Sequence, residues 1–492
     1  MKTLKIYLLA GLTCLLSSCL DTQLYNEIAV DDFFNTESDA RAYLNGVYGG
    51  FRDRSARNYI PAGEYAYQML NEIAADGLIF GPGAQSGKGS QYEMAEWGVD
   101  FYVTSSLWND LYLAIVRANI GIDNLGKVET NDTKLIEQFV AEARVARAWF
   151  YADLTYLYGD VPFITDSKFD ITSKPKRESK DKIIEFCISE ILPSIEKLPE
   201  SYPAEDYGRF TKSAAQAKLC KIYLEAKMWK ECADMANEII NNSPHKLVSD
   251  WGKLWGVENE KNIETIFSIP CLPPRYQHSA YAAHFHPADF LIEGGGSIGW
   301  DYYRCTWDFY NTFDPADKRR ADMLTSYISV EKDANGQNIR KEIGHGGGEG
   351  PIPNKFPLDP AHIGWTEGTD VVLIRLADII LARAESLNEL NGPNQESIDL
   401  INRIRTRAFG NETHNLKLAD YGTKEALRAA ILQERGWELY LEGYRRLDLI
   451  RHGVYIDAMK KKGSTFVSNS QLLLPIPTSE INLNPNLTQN DY

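Results

Sequence analysis

From Thr36 onward, Ala40, Tyr43, Leu44, Val47, Tyr48 and Phe51 recur at intervals of three and four residues. They form one apolar stripe on the period of an α-helix. Trp108, Leu111, Tyr112, Ile115 and Ile122 mark a second helix. A third runs from about Lys134 to Tyr158, ends at Gly159 and has Pro162 beyond it as a stop. The same period predicts helices near 180–197, 211–226, 229–242, 371–390, 396–408 and 423–451.

Several of these helices come in pairs with short connections. In Thr211 to Pro244, Leu219 and Tyr223 lie on a first helix and Ala233 and Ala236 on a second, with the spacing of a tetratricopeptide-like unit. Asp370 to Phe409 gives a similar pair, with Ala377, Ala384, Ile398 and Ile401 facing inward. The fold expected is all-α, a tetratricopeptide-like helical-repeat superhelix. Gly81–Gly89, Pro270–Trp307 and Gly344–Trp365 break the period and are rich in Gly, Pro and aromatic residues. Long loops of this kind are functional or disordered, and their aromatic content favours function.

The N-terminus changes the picture of where the chain resides. Lys2 and Lys5 precede an apolar run, Ile6–Leu16, that is too short to span a bilayer and reads as a signal-peptide core. Leu16-Ser17-Ser18-Cys19 resembles a bacterial lipobox, which makes residues 1–18 a signal peptide and Cys19 the lipidated mature N-terminus. The five cysteines after Cys19, Cys187, Cys220, Cys232, Cys271 and Cys305, lack metal-site spacing. Cys220 and Cys232 could face each other across a helical hairpin. The formal charge of -16, with no basic block, argues against nucleic acid as a partner. Ten Trp and 27 Tyr are more than a core needs, and both rings suit partly exposed contacts.

At this point a family resemblance is specific. Glu142-Ala143-Arg144-Val145-Ala146-Arg147-Ala148-Trp149-Phe150-Tyr151, followed by Leu157-Tyr158-Gly159-Asp160-Val161-Pro162, resembles the SusD/RagB family of Bacteroidetes outer-membrane lipoproteins. So do the spacing of Trp108, Tyr112, Ile115 and Asn119, the helix around Glu442-Gly443-Tyr444-Arg445-Arg446-Leu447-Asp448, and the tail Leu474-Pro475-Ile476-Pro477 to Tyr492. The resemblance implies a glycan-binding lipoprotein without catalysis, cofactor or metal. It also implies a TonB-dependent, SusC-like transporter as partner, and attachment to the outer membrane through the lipid. The expected parts are residues 19–245 with the first helical repeats, 246–369 as an irregular ligand-face segment, and 370–492 as the C-terminal helices and tail. A peptide or glycopeptide ligand is the alternative within binding.

Carried onto this chain, the family's ligand positions are Phe80, Tyr281 and Trp300, with Asp76 of the Glu72–Asp76 pair nearby. Trp97, Tyr302 and Tyr303 are their aromatic neighbours. Phe80 stands where a Trp would be a stronger platform. Trp300 is the leading candidate, because Gly294–Gly296 and Gly299 permit a tight, exposed turn before it. Other residue clusters have readings of their own. Gly295-Gly296-Ser297-Ile298-Gly299 fits a hydrolase nucleophile elbow if Phe290–Ile292 is a strand and 301–313 a helix. His278, His284 and His286 form a histidine cluster without a further ligand at metal-site spacing. Glu434, Glu438 and Glu442 share a helical period with Arg435, Arg445, Arg446 and Arg451, the pattern of an ion-pair network that ties a helix to its neighbours.

Overall fold

A computed structural model describes residues 33–52, 67–84, 89–273, 278–345 and 349–492. The signal segment and Cys19 lie outside the described residues. Sixteen helices are described: α1 (Glu37–Tyr48), α2 (Tyr67–Ile73), α3 (Gly89–Glu93), α4 (Tyr102–Leu125), α5 (Thr133–Tyr158), α6 (Lys180–Ile195), α7 (Lys212–Glu225), α8 (Trp229–Asn242), α9 (Tyr281–Phe285), α10 (Trp307–Asn311), α11 (Leu376–Asn391), α12 (Gln395–Phe409), α13 (Lys424–Leu439), α14 (Arg445–Arg451), α15 (Tyr455–Lys462) and α16 (Thr478–Leu483). Side chains set their starts. Thr36 and Asp39 form a capping box on α1, and Asp132, Ser179, Thr211, Asn394 and Thr423 each cap a helix.

Ten short strands make five separate antiparallel pairs. They are β1 (Leu78–Phe80) with β5 (Tyr303–Cys305), β2 (Val161–Pro162) with β3 (Arg177–Glu178), β4 (Thr265–Ile269) with β10 (Val371–Arg375), β6 (Met323–Leu324) with β9 (Ile352–Pro353), and β7 (Ser326–Lys332) with β8 (Asn338–Glu342). The all-α, tetratricopeptide-like expectation holds for the scaffold, where α4 to α8 and α11 to α13 pack on one another in succession.

Within the scaffold, α5, α7 and α11 are buried on nearly every face along most of their length, whereas α8 and α12 bury one stripe. Inner helices buried all round have nowhere to hide polar residues, so each buried charge needs a partner. Arg147 on α5 pairs with Glu190 on α6, and Asp153 on α5 pairs with Lys218 on α7. Lys221 on α7 reaches Asp378 on α11 at 2.6 Å, and Asp378 in turn meets Arg435 on α13. Arg435 continues to Asp448 on α14, and Arg451 on α14 returns to Glu385 on α11 and Glu225 on α7. One chain of buried ion pairs therefore threads the scaffold from α7 through α11 and α13 to α14, and separate buried pairs tie α5 to α6 and to α7.

Two boundaries differ from the expectation. Residues 371–375 are strand β10 rather than the first turn of a helix, because Val371, Val372 and Ile374 pair with β4 across Phe267, Ser268 and Ile269. The helix expected over 423–451 breaks at 440–444, where Leu441 has φ 65° and Gly443 φ 85°. A Cβ on Gly443 would lie 3.0 Å from the Gln68 Cα, so the close approach of α2 requires glycine there. Glu72 on α2 accepts from the Gly443 and Tyr444 amides at 2.7 and 3.1 Å and so holds this break.

Glu434 and Glu438 lie on α13, and Glu442 follows in the break. Glu438 accepts from Arg319 and Arg375 and also pairs with Arg407. Glu442 pairs with Arg375 and with the Lys355 ammonium. The expected network is present, and it ties residues of the irregular segment, Arg319 and Lys355, to the C-terminal helices.

Among the five cysteines after Cys19, the Cys220 and Cys232 sulfurs lie 3.8 Å apart as free thiols between α7 and α8. The C-terminal tail also docks. The Trp97 indole donates to the Tyr492 hydroxyl at 3.1 Å, and the Asn490 amide donates to the Tyr158 and Leu474 carbonyls.

Removing one partner from a buried ion cluster leaves the others unpaired, which costs about 3–5 kcal/mol. Glu438→Ala is therefore expected to lower the free energy of chemical unfolding by that order, and a loss under ~1 kcal/mol would contradict the role assigned to it. Burial pushes the Glu72 carboxyl up to about 7 despite the amides it accepts from. A raised folded value contributes stability that is complete below the unfolded carboxylate pKa and is lost as pH rises through 7. Unfolding free energies measured from pH 5 to 8 should therefore fall with rising pH more steeply in the wild type than in Glu72→Gln.

Candidate functional site

The irregular segment folds onto one end of the β1–β5 ladder. Phe80 lies opposite Tyr303, Ile79 opposite Arg304 and Leu78 opposite Cys305. Beyond β1 the pairing continues through the Gly81 amide to the Tyr302 carbonyl (2.8 Å) and the Gly83 amide to the Asp301 carbonyl (2.9 Å). A Cβ on Gly83 would sit 1.7 Å from the Trp300 carbonyl oxygen, so only glycine lets the two loops close.

On its other side the Trp300 loop lies along α9. The Trp300, Asp301 and Tyr302 amides donate to the Ala283, His286 and His284 carbonyls at 2.6, 2.9 and 2.7 Å. Asp301 has φ 57°, and its carboxylate is held by the Arg304 guanidinium at 2.5 Å. A Cβ on Gly299 would meet the Pro287 and His286 carbonyl oxygens at 2.1 and 2.2 Å.

These restraints leave the Trp300 ring half-buried, with its edge on His284 at 5.0 Å and Tyr302 5.7 Å away. Its neighbour on the open side is Trp365, 41% exposed, with ring centroids 5.2 Å apart and planes inclined by 50°. Trp365 sits on a tight hairpin in which Ile363 and Thr366 exchange backbone hydrogen bonds and Gly364 takes φ 61°. His278 packs edge-on against its ring at 4.7 Å. Ile363 and Leu272 add exposed apolar surface to these loops.

The expected site residues divide. Phe80, Trp300, Tyr302 and Tyr303 are brought together around the β1–β5 ladder. Tyr303 is only 1% exposed, however, because alternation along β5 turns its ring toward Phe80 and the core. Tyr281 is also 1% exposed and stacks on Phe356 at 4.1 Å, so its ring supports α9 from beneath. Trp97 is 1% exposed, stacks on Phe101 and donates to the C-terminal clasp. Asp76 forms a two-pronged ion pair with Arg445 at 2.7 and 2.8 Å. Burial opposes ionisation of its carboxyl, and the Arg445 guanidinium more than offsets this and holds it below its ordinary value. The structure thus buries the Tyr303, Tyr281 and Trp97 rings and leaves the Asp76 side chain partly exposed in its ion pair with Arg445. Phe80 is half-buried between Tyr303 and Tyr92.

Trp365, the exposed ring beside Trp300, is not among the expected site residues. The available signal was its place at the end of the aperiodic Gly344–Trp365 stretch, directly after a glycine.

Ser297 donates to the Pro287 carbonyl at 3.4 Å and is followed by the extended run into β5, so the strand–turn–helix of a nucleophile elbow is absent there. Where such an elbow would need a strand over Phe290–Ile292 there is a single bridge between Phe290 and Ser329, and within 301–313 the helix covers only Trp307–Asn311. His284 lies on α9 with its Nδ1 2.7 Å from the Ala280 carbonyl, and His286 stacks on Phe290. Burial lowers both imidazoles to about 4, which keeps them neutral as packing groups. Among the described residues, no group of three or more His, Cys, Asp or Glu gathers as a metal site.

What remains is an aromatic face: two inclined indoles with Tyr302 beside them on rigidly hydrogen-bonded loops. Such rings cover the flat C–H face of a sugar, while hydroxyls at the edge find polar partners.

Comparison with known proteins gives a consistent picture. Residues 31–224 match a SusD-like model described as "Starch-binding associating with outer membrane", and residues 308–492 match the SusD family model. SusD-like protein P25 of Formosa agariphila is 27% identical over 97% of this chain and 97% of its own. The starch-binding protein SusD of Bacteroides thetaiotaomicron is 25% identical over 71% of this chain and 72% of its own. Among solved structures, a laminarin-binding SusD-like protein superposes with TM-score 0.77 at 23% identity, covering 93% of this chain and 100% of that one. Surface glycan-binding protein A of Bacteroides thetaiotaomicron gives 0.76 at 17%, covering 94% and 100%.

Because a Cβ at residue 83 would strike the Trp300 backbone, Gly83→Ala is expected to displace the Trp300 loop while leaving the helical scaffold intact. Acrylamide should then quench the indole fluorescence more strongly than in wild type, with far-UV circular dichroism retained. Unchanged quenching would show that the contact does not hold the loop.

Proposed function

Since the chain belongs to the SusD/RagB family, we propose that it binds a glycan on the Trp300–Trp365 face and hands it to a TonB-dependent, SusC-like transporter in the outer membrane. The lipidated Cys19 anchors it there, and it performs no chemistry on the ligand. The observation that carries the reading is the pair of inclined indoles, Trp365 exposed and Trp300 half-buried beside it, with the Trp300 loop fixed by backbone hydrogen bonds from two sides. Rigid aromatic anchors lose little conformational entropy on binding, which makes them efficient contacts.

Two planes at 50° cannot both lie against one flat ribbon. They suit a chain that bends between successive sugars. The family models and the glycan-binding names of the similar proteins support the ligand class.

Calorimetry against a panel of polysaccharides tests this reading. Truncating an anchor at the centre of a binding face costs about 1–3 kcal/mol, roughly 5- to 150-fold in affinity. Trp300→Ala and Trp365→Ala are each expected to weaken glycan binding by that order, with little dependence on salt and no sugar release by the wild type. Full affinity in both variants would place the ligand elsewhere. Binding of peptides and of no polysaccharide would replace the ligand class.

A further inference from the structure

The two indoles belong to different loops, and one buried side chain joins those loops. Glu367 follows the Trp365 hairpin and is wholly buried. Its backbone exchanges two hydrogen bonds with Ser279, at 3.1 and 3.0 Å, just before α9. Its carboxylate accepts from the Ala282 amide in the first turn of α9 at 2.9 Å and from the Asp359 amide at the base of the hairpin at 3.4 Å. Asp359 accepts from the Ala361 and Gly368 amides and so closes the hairpin on itself. One residue further along α9, the Ala283 carbonyl receives the Trp300 amide. A continuous path of hydrogen bonds thus runs from the Trp365 hairpin through Glu367 to α9 and on to Trp300.

Resting on the glycan-binding reading of this face, we propose that Glu367 is its positioning residue: the carboxylate bridge between hairpin and α9 sets the separation and tilt of the Trp300–Trp365 pair. Glu367 does not touch the ligand. Its ionised form offers an acceptor to each of two amides, whereas a protonated carboxyl turns one oxygen into a donor and releases one of them. Burial pushes this carboxyl up to about 7, so the exchange falls in the neutral range. The groups facing it are the Asp359 carboxylate and the Tyr281 hydroxyl on α9, raised well above its ordinary value by burial. His278 lies next to Ser279 against Trp365 and is a separate titrating group, lowered by burial.

Two indoles this close couple their excited states, so their geometry is readable without ligand as an exciton couplet in far-UV circular dichroism. The couplet is the wild-type spectrum minus that of Trp365→Phe. In the full-length protein from pH 5.5 to 8.5, the wild-type couplet is expected to lose amplitude on acidification with one midpoint near 7. Glu367→Gln keeps one acceptor and adds a fixed donor, so it should show the wild type's low-pH amplitude at every pH. Glu367→Leu should weaken the couplet by about half or more, because both amides lose their acceptor. His278→Gln should retain the titration.

A wild-type couplet that does not titrate, or a titration that persists in Glu367→Gln, overturns the proposal. If Glu367→Leu fails to fold, the wild-type and Gln curves decide alone. Glycan affinity measured on the same variants should follow the couplet. A couplet that responds while affinity stays constant would overturn the binding-face reading and leave the positioning role standing.

Discussion

The structure depends on buried carboxylates that each hold more than one cation. Glu438 is the extreme case, fully buried and shared by Arg319, Arg375 and Arg407. Burial would raise its carboxyl, and the three guanidinium groups overcome this and hold it far below the ordinary range. A charge in such a place is costly unless every partner is present, so the cluster forms only when segments distant in sequence have all arrived. Arg319 comes from the turn after α10, Arg375 from the end of β10 and Arg407 from α12. The cluster therefore fixes the irregular segment against the repeat scaffold.

From this anchor the path to the aromatic face is short. Lys355 donates to the Glu438 and Tyr440 carbonyls and to Glu442. The next residue, Phe356, stacks on Tyr281, the first residue of α9. The carbonyls of α9 then receive the Trp300 loop. Tyr281 and Asp76 thus serve the site from behind: one supports α9, and the other, through Arg445, holds α2 and the start of β1 to α14. Aromatic residues beneath a binding face and on it share the same sequence context, and only burial separates them.

That distinction explains what could be read from the sequence. The scaffold was legible because 3.6-residue periodicity repeats over many turns, and α8 matched its expected span of 229–242. The ion network was legible too, since Glu434, Glu438 and Glu442 recur with arginines around them. The break at Leu441–Gly443 was hidden because the glutamate spacing continues across it while the groups that fix the turn, the acceptor Glu72 and the donor Lys355, lie far away in the chain. Strand β10 was hidden because Val371–Arg375 is apolar enough to extend the α11 pattern backward. In the candidate site, Trp300 emerged because the glycines before it reveal backbone constraints. Trp97, Tyr281 and Tyr303 look the same in sequence as exposed rings, and long-range packing alone decides that they are buried. Trp365 escaped notice because its partner is 65 residues away in sequence and the pairing passes through Glu367.

The proposed seat of the ligand is the inclined indole pair. A crystal structure of the protein with a bound oligosaccharide tests this most directly. One sugar ring is expected against Trp365 and the next, turned with the chain, against Trp300, with Tyr302 beside them. A ligand seated away from this face, with both indoles still open to solvent, would contradict it.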